Sequence, residues 1–230
     1  MGVKRAREMT RMATATDYVH HCFRAAMFAP SFPCLGAKAA LRRGAYRFGL
    51  YPALGSPEAA TWLARDLVTF LGERQALCPG FQSYVASFTG PPPSDETRFE
   101  ACLWEQVQRL HDLDGEPWDA AVSADPADPE FSFSFAGTAF FVVGLHPASS
   151  RRARRFAWPT LVFNPHDQFA RLREQGRFLR LRDAIRRREI ALQGSLNPNV
   201  SDHGTESEAR QYSGRPAEPE WKCPFHPREP

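Results

Sequence analysis

The sequence predicts an α+β domain: a small, largely antiparallel sheet covered by helices and sealed by a C-terminal segment that wraps the core. Three observations carry this expectation. Phe131, Phe133 and Phe135 alternate ahead of an Ala-Gly-Thr turn and the continuous apolar run 139–145, the pattern of a β-hairpin whose second strand is central. Trp62, Leu63, Leu67, Phe70 and Leu71, and again Phe99, Leu103, Val107 and Leu110, recur at helical spacing. From residue 193 onward the chain is irregular yet carries Tyr212, Trp221 and Phe225, which a disordered tail has no use for.

Local signals set the elements in order. Residues 1–15 are basic and without periodicity and are expected to form a flexible N-terminus, followed by a single domain over 16–230. A short helix over 17–27 ends before Pro30, and an Ala-rich helix stops at Gly44. A strand over 45–51 is ended by Pro52. Ser56-Pro57 is a helix start, hydroxyl at the N-cap and proline at the first helical position. A strand is expected over 81–89 and a helix over 95–113. LDGEPWDAAVSADPADPE is too rich in Asp, Pro and Gly to be regular and forms a long ordered loop, a common location for function. After the hairpin, a short strand covers 160–163, Asn164-Pro165 turns the chain into a helix from His166, and Gly176 divides that helix from another over 177–192.

Composition excludes several classes. The chain has 230 residues, 43% of them apolar and 18 of them phenylalanine, enough for one substantial core. Its formal net charge of +3 does not indicate a general polyanion binder. No run approaches a membrane span and the N-terminus lacks the apolar stretch of a signal peptide, so a cytoplasmic protein without membrane association is expected. Nothing in the sequence excludes a homodimer. Five cysteines with no CxxC pair argue against a disulfide framework or a zinc knuckle. HExxH, GxGxxG after a strand, a P-loop and a GxSxG elbow are all absent, and with them the commonest zinc-protease, nucleotide and serine-hydrolase sites.

What remains is a set of isolated donors among aromatics and arginines: Cys34, His146, His166, His203 and Cys223. A porphyrin needs one strong axial ligand, a flat apolar slot and cations for its propionates. In GLHPASSRRARRF, His146 offers a nitrogen at a strand end while Arg151, Arg152, Arg154 or Arg155 pairs with carboxylates. The plain alternatives stand beside this. His-Pro at a strand end is an ordinary turn, Cys34 is a small buried hydrophobe, and His166 caps the helix it begins. The arginines between Arg171 and Arg188 form a solvated face, with nucleic-acid binding a weaker alternative because no reading module accompanies them.

Several stretches together, FSFSFAGTAFFVVGLHPASSRRARRF, PTLVFNPHDQFARLR, IRRREIALQGSLNP and SEARQYSGR followed by WKCPF, resemble the YqcI/YcgG family, which includes pre-guanitoxin N-hydroxylase and related arginine N-hydroxylases. The resemblance extends from FPCLGAKAALRRGAYRFGLY to WKCPF. It implies a monooxygenase dependent on haem b iron that hydroxylates a guanidine nitrogen of arginine or an arginine-derived small molecule with dioxygen. The chain has no flavin or NADPH fingerprint and would need an external electron donor, so a redox partner of unknown identity is implied. Under this resemblance His146 ranks first as axial ligand and Cys34 second, because a thiolate favours O–O cleavage; His166 and Cys223 follow. A guanidinium asks for a carboxylate, and Glu206 and Glu208 are the candidates, with Asp202 and Asp167 behind them. Arg210 would hold a substrate carboxylate or a propionate, and Tyr212 would donate a hydrogen bond near bound oxygen. Against these roles, Glu208 and Arg210 also suit a structural ion-pair cluster fixing the C-terminal wrap. A haem-binding or sensing protein without turnover is the alternative function.

Overall fold

The computed structural model describes residues 2–201 and 204–228. Five strands, β1 (Tyr46–Tyr51), β2 (Ser83–Phe88), β3 (Phe133–Phe135), β4 (Thr138–Leu145) and β5 (Thr160–Pro165), form one sheet in the order β1-β2-β5-β4-β3. Only β1 and β2 pair in parallel, and α3 (Pro57–Glu73) lies between them in the chain, as a parallel crossover requires. The remaining pairs are antiparallel. This is the small, largely antiparallel sheet that the sequence predicts.

The caps form as their residues dictate. Ser56 Oγ accepts the Ala59 N–H at 3.1 Å at the start of α3, and Asp95 accepts the Arg98 N–H at 2.7 Å at the start of α4 (Glu96–Leu113). Gly44, with φ +63°, closes α2 (Leu35–Arg43) in the left-handed conformation that a side chain disfavours. The β3–β4 turn places both Ala136 (φ +50°) and Gly137 (φ +67°) in that region, as a two-residue hairpin turn demands. Asp114 Oδ2 accepts the Ala136 N–H at 2.8 Å, which anchors the strained residue.

Alternation along the strands covers both faces of the sheet. Phe140, Val142, Leu161 and Phe163 point toward α3 and α4, where Leu63, Leu67, Phe99, Leu103 and Val107 complete the larger core. Leu145 and Val85 face the other way, against Val19, Phe23 and Met27 of α1 (Gly2–Phe28). α1 starts at Gly2, well before the helix expected over 17–27. Apolar periodicity begins only near Val19, and the earlier turns rest on the intrinsic helix preference of Ala, Arg and Met.

The C-terminal segment wraps the larger core and is fastened by α4. Glu100, 8% exposed, accepts Ser213 Oγ–H at 2.8 Å, Arg215 Nε–H at 2.9 Å and Nη2–H at 2.8 Å, and the Trp221 indole N–H at 3.3 Å. Gln108 pairs with both backbone groups of His226, at 2.9 and 3.0 Å, as a neighbouring strand would. Tyr212 and Phe225 thereby become core residues. No helix among the described residues is long and apolar enough to cross a membrane.

Candidate functional site

The cleft with the most chemistry lies where β5 ends. His166 donates its backbone N–H to Ala139 O at 2.8 Å, which holds its ring beside the start of β4. α5 (Asp167–Glu174) follows directly, and Gly176, with φ +65°, reverses the chain into α6 (Phe178–Gln193). The fourth side comes from the short helix α7 (Ala209–Tyr212) and the residues before it. Phe141, Phe169 and Phe178 form apolar walls around a cavity of ≈200 Å³. Arg173, Arg182 and Arg186 line it from α5 and α6, and Glu206 and Glu208 from the opposite segment.

Glu208 and Tyr212, four residues apart, meet on one helical face. Glu208 Oε1 accepts the Tyr212 hydroxyl at 2.7 Å, and Glu208 Oε2 lies 3.4 Å from His166 Nε2. The Tyr212 oxygen in turn accepts the Phe133 N–H at 3.0 Å. Burial and the adjacent Glu208 carboxylate push the phenol well above its ordinary pKa, so it stays a neutral donor. Arg173 is held over the Phe178 ring at 5.4 Å. A second, wider groove of ≈890 Å³ runs between the loop 124–129 and the segment 221–228, and it shares Pro129 and Glu206 with the first. Trp221 and Phe225 wall it, and Cys223, its thiol pushed up to about 12 by burial, lies on its lining.

The other sequence candidates lie elsewhere. His146 is fully enclosed, its ring stacked on Phe99 at 4.1 Å and 18°, and neither ring nitrogen has a hydrogen-bond partner among the described residues. Burial lowers its pKa to about 4. β4 separates it from His166, because His166 bonds Ala139 at one end of that strand and His146 follows Leu145 at the other. Seven residues of strand put them roughly 20 Å apart, too far to share one metal. Cys34 caps α2, its sulfur accepting the Ala37 N–H at 3.4 Å, and burial raises its pKa.

The arginines expected to clamp propionates are used by the protein itself. Arg151 donates to Glu189 Oε1 at 2.7 Å and Ser195 O at 2.6 Å. Arg152 donates to Leu192 O at 3.0 Å. Arg154 donates to Gly144 O and Tyr212 O, each at 3.1 Å, and to Gln211 O at 3.0 Å. Arg210 donates to Glu218 O at 2.7 Å and lies over the Trp221 ring at 5.6 Å. These guanidiniums brace the end of β4 and the C-terminal wrap. Asp167 pairs with Arg74 at 2.8 Å and Arg171 at 2.7 Å. Asp202 and His203 lie outside the described residues.

The cleft therefore gathers His166, Glu206 and Glu208 and leaves out His146, Cys34, Arg151 to Arg154 and also Tyr212, which is a core residue whose hydroxyl is taken by Glu208 and the backbone of Phe133 and Phe140 and so does not face the cleft. The sequence places Phe178 on the inward face of its helix but gives Arg173, Arg182 and Arg186 as solvated surface and assigns no role to Phe141 and Phe169. The i, i+4, i+8 spacing of Phe178, Arg182 and Arg186 was the available signal that these three share one helix edge.

Fold and cleft together define an α+β domain with a charged, aromatic-walled cavity between its sheet and the helices α5 and α6. The chain belongs to the YqcI/YcgG family, which it matches over residues 23–226. It is 26% identical over 206 residues to the uncharacterized protein YqcI of Bacillus subtilis (strain 168), a match covering 84% of this chain and 80% of that one. No solved structure matches the chain.

A haem can be held through a single axial protein ligand and needs no ligand cluster, and among the described residues no group of three or more His, Cys, Asp or Glu could hold a metal ion. His166 is the candidate for that one ligand, but it lines only the smaller cleft and not the wider groove, so ligand and space do not coincide. His166 faces a carboxylate through Nε2, the arrangement that fixes the tautomer and orientation of a ligating imidazole. The ≈200 Å³ cleft alone is of small-molecule size, and the room for a macrocycle is in the adjoining ≈890 Å³ groove.

Proposed function

We propose that this protein is a haem-dependent monooxygenase that hydroxylates a guanidine nitrogen of arginine or an arginine-derived small molecule. The observation that carries the proposal is the charge arrangement at the cleft: carboxylates of Glu206 and Glu208 on one side and guanidiniums of Arg173, Arg182 and Arg186 on the other, across phenylalanine walls. A guanidine-bearing amino acid presents the opposite charges at its two ends.

Each side chain has a task in this proposal. Glu206, at the junction with the wider groove, accepts guanidinium N–H groups, and Glu208, oriented by Tyr212, supports His166. Arg173, already aligned on Phe178, takes the substrate carboxylate. The phenylalanines exclude water, which strengthens both charge contacts. His166 would hold the iron, with Glu208 behind it. Haem, when bound, would supply the activation of dioxygen.

The test is direct. Protein from haem-supplemented cells is given a chemical reductant, oxygen and arginine or a simple guanidine, and products are read by mass spectrometry. A product heavier by one oxygen is expected. A Soret band without product would favour a haem-binding role without turnover, and absence of the band would overturn both.

A further inference from the structure

The cationic side of the cleft is larger than one carboxylate uses. Arg173 comes from α5, and Arg182 and Arg186 come from α6, all three beside the walls of Phe141, Phe169 and Phe178. Arg182 and Arg186 stand one helical turn apart, about 6 Å along the axis, whereas the two oxygens of a single carboxylate fill one guanidinium fork. Arg182 also gives part of its fork to Asp183, at 3.0 Å. α6 begins at Phe178, on the cleft lining, with no side-chain cap at Arg177 and no acidic residue in its first turn, so the end of its dipole adds to the positive field. The cleft thus has two anion stations: Arg173, aligned over Phe178 at 5.4 Å, and the Arg182–Arg186 edge of α6.

We infer that the ligand of this cleft is a guanidine with two carboxylates at its other end, an arginine whose α-nitrogen bears a carboxyalkyl group. The inference rests on the substrate end of the function proposed above and not on its iron chemistry. Glu206 takes the guanidinium at the junction with the wider groove, and Arg173 takes the α-carboxylate. The second carboxylate, attached one amine nitrogen away, reaches the α6 edge. Charge favours it as well as shape. Free arginine carries a net positive charge toward a side of the cleft that is itself cationic, and the second carboxylate cancels that charge. Guanidiniums held beside phenylalanine rings lose hydration, a cost that each carboxylate facing them offsets. A ligand with no carboxylate leaves both stations unanswered.

Calorimetry of the full chain, without added haem, compares agmatine, arginine and Nα-(1-carboxyethyl)arginine, which carry a guanidine with no, one and two carboxylates, and iminodiacetate, which carries two carboxylates and no guanidine. Affinity should rise along the guanidine series, by about tenfold or more from arginine to the dicarboxylate, the return on one further charge-assisted pair. Arg182→Gln and Arg186→Gln should each cost the dicarboxylate about tenfold and arginine less than about twofold. Arg173→Gln should weaken both ligands, and Arg65→Gln, an exposed charge on α3, should weaken neither. Circular dichroism checks that each variant is folded. A dicarboxylate bound no more tightly than arginine, or one whose affinity neither α6 variant lowers, overturns the inference and leaves the proposed function standing. Iminodiacetate bound as tightly as the dicarboxylate, with arginine not bound, overturns the guanidine end of the proposed function and the inference with it.

Discussion

One carboxylate joins His166 to Tyr212: Glu208 lies 3.4 Å from the imidazole Nε2 through one oxygen and 2.7 Å from the phenol through the other. The phenol is buried in the core and the imidazole opens on the cleft, so Glu208 couples the rigid interior to the cleft wall.

Glu208→Gln keeps the size of the side chain and can still accept the Tyr212 hydroxyl, but it removes the charge facing His166. We expect hydroxylation to fall by about 10- to 100-fold, the usual cost of losing such a supporting carboxylate. Chemical denaturation should move by no more than about 1 kcal/mol. Unchanged kcat/KM in this variant would remove Glu208 from the mechanism.

His166→Ala should abolish the Soret band, whereas His146→Phe and Cys34→Ala should retain it. The converse pattern, retention in His166→Ala and loss in His146→Phe, would put the iron at the other end of β4 and require the packing around Phe99 to open. Cys34→Ala should also cost about 1 kcal/mol or less, as loss of a weak N-cap.

His146 makes stability fall in acid. Its pKa is about 4 in the folded chain against 6.5 for a free imidazole. Between those values the unfolded chain takes up a proton that the folded chain refuses. The contribution is therefore complete above pH 6.5 and is lost as pH falls through that window, up to about 3 kcal/mol. His111 acts in the same direction, because burial lowers its pKa and its Nε2 accepts the Arg228 N–H at 2.9 Å. Thermal melts from pH 8 to pH 4.5 should show the decline, and His146→Phe should flatten part of it. An equally steep profile in that variant would show that His146 is not responsible.

Glu100→Ala should be the most disruptive single change in the C-terminal wrap. It leaves Arg215, whose side chain is 12% exposed, without its inner carboxylate, and it frees Ser213 and Trp221. A loss of about 3–5 kcal/mol is expected. Trp221 fluorescence should shift red before global unfolding, and a wild-type denaturation curve would contradict the role of α4 as the fastening edge.

The sequence by itself determined the strands, the helices α2 to α6 and the hairpin, because caps, turns and hydrophobic periods act through bonds within a few residues. Ser56, Asp95, Gly44, Gly176 and the Phe131–Phe135 alternation each did so locally. It also named His166, Glu206, Glu208 and Tyr212, through motifs rather than geometry. Tertiary structure alone decided that His166 joins Glu208 while His146 lies at the far end of β4, since that depends on strand register. Likewise, Arg151 reaches Glu189 and Arg215 reaches Glu100 across 38 and 115 positions of chain. The partner of a long side chain is fixed by which surfaces the core brings together, and no local pattern encodes that.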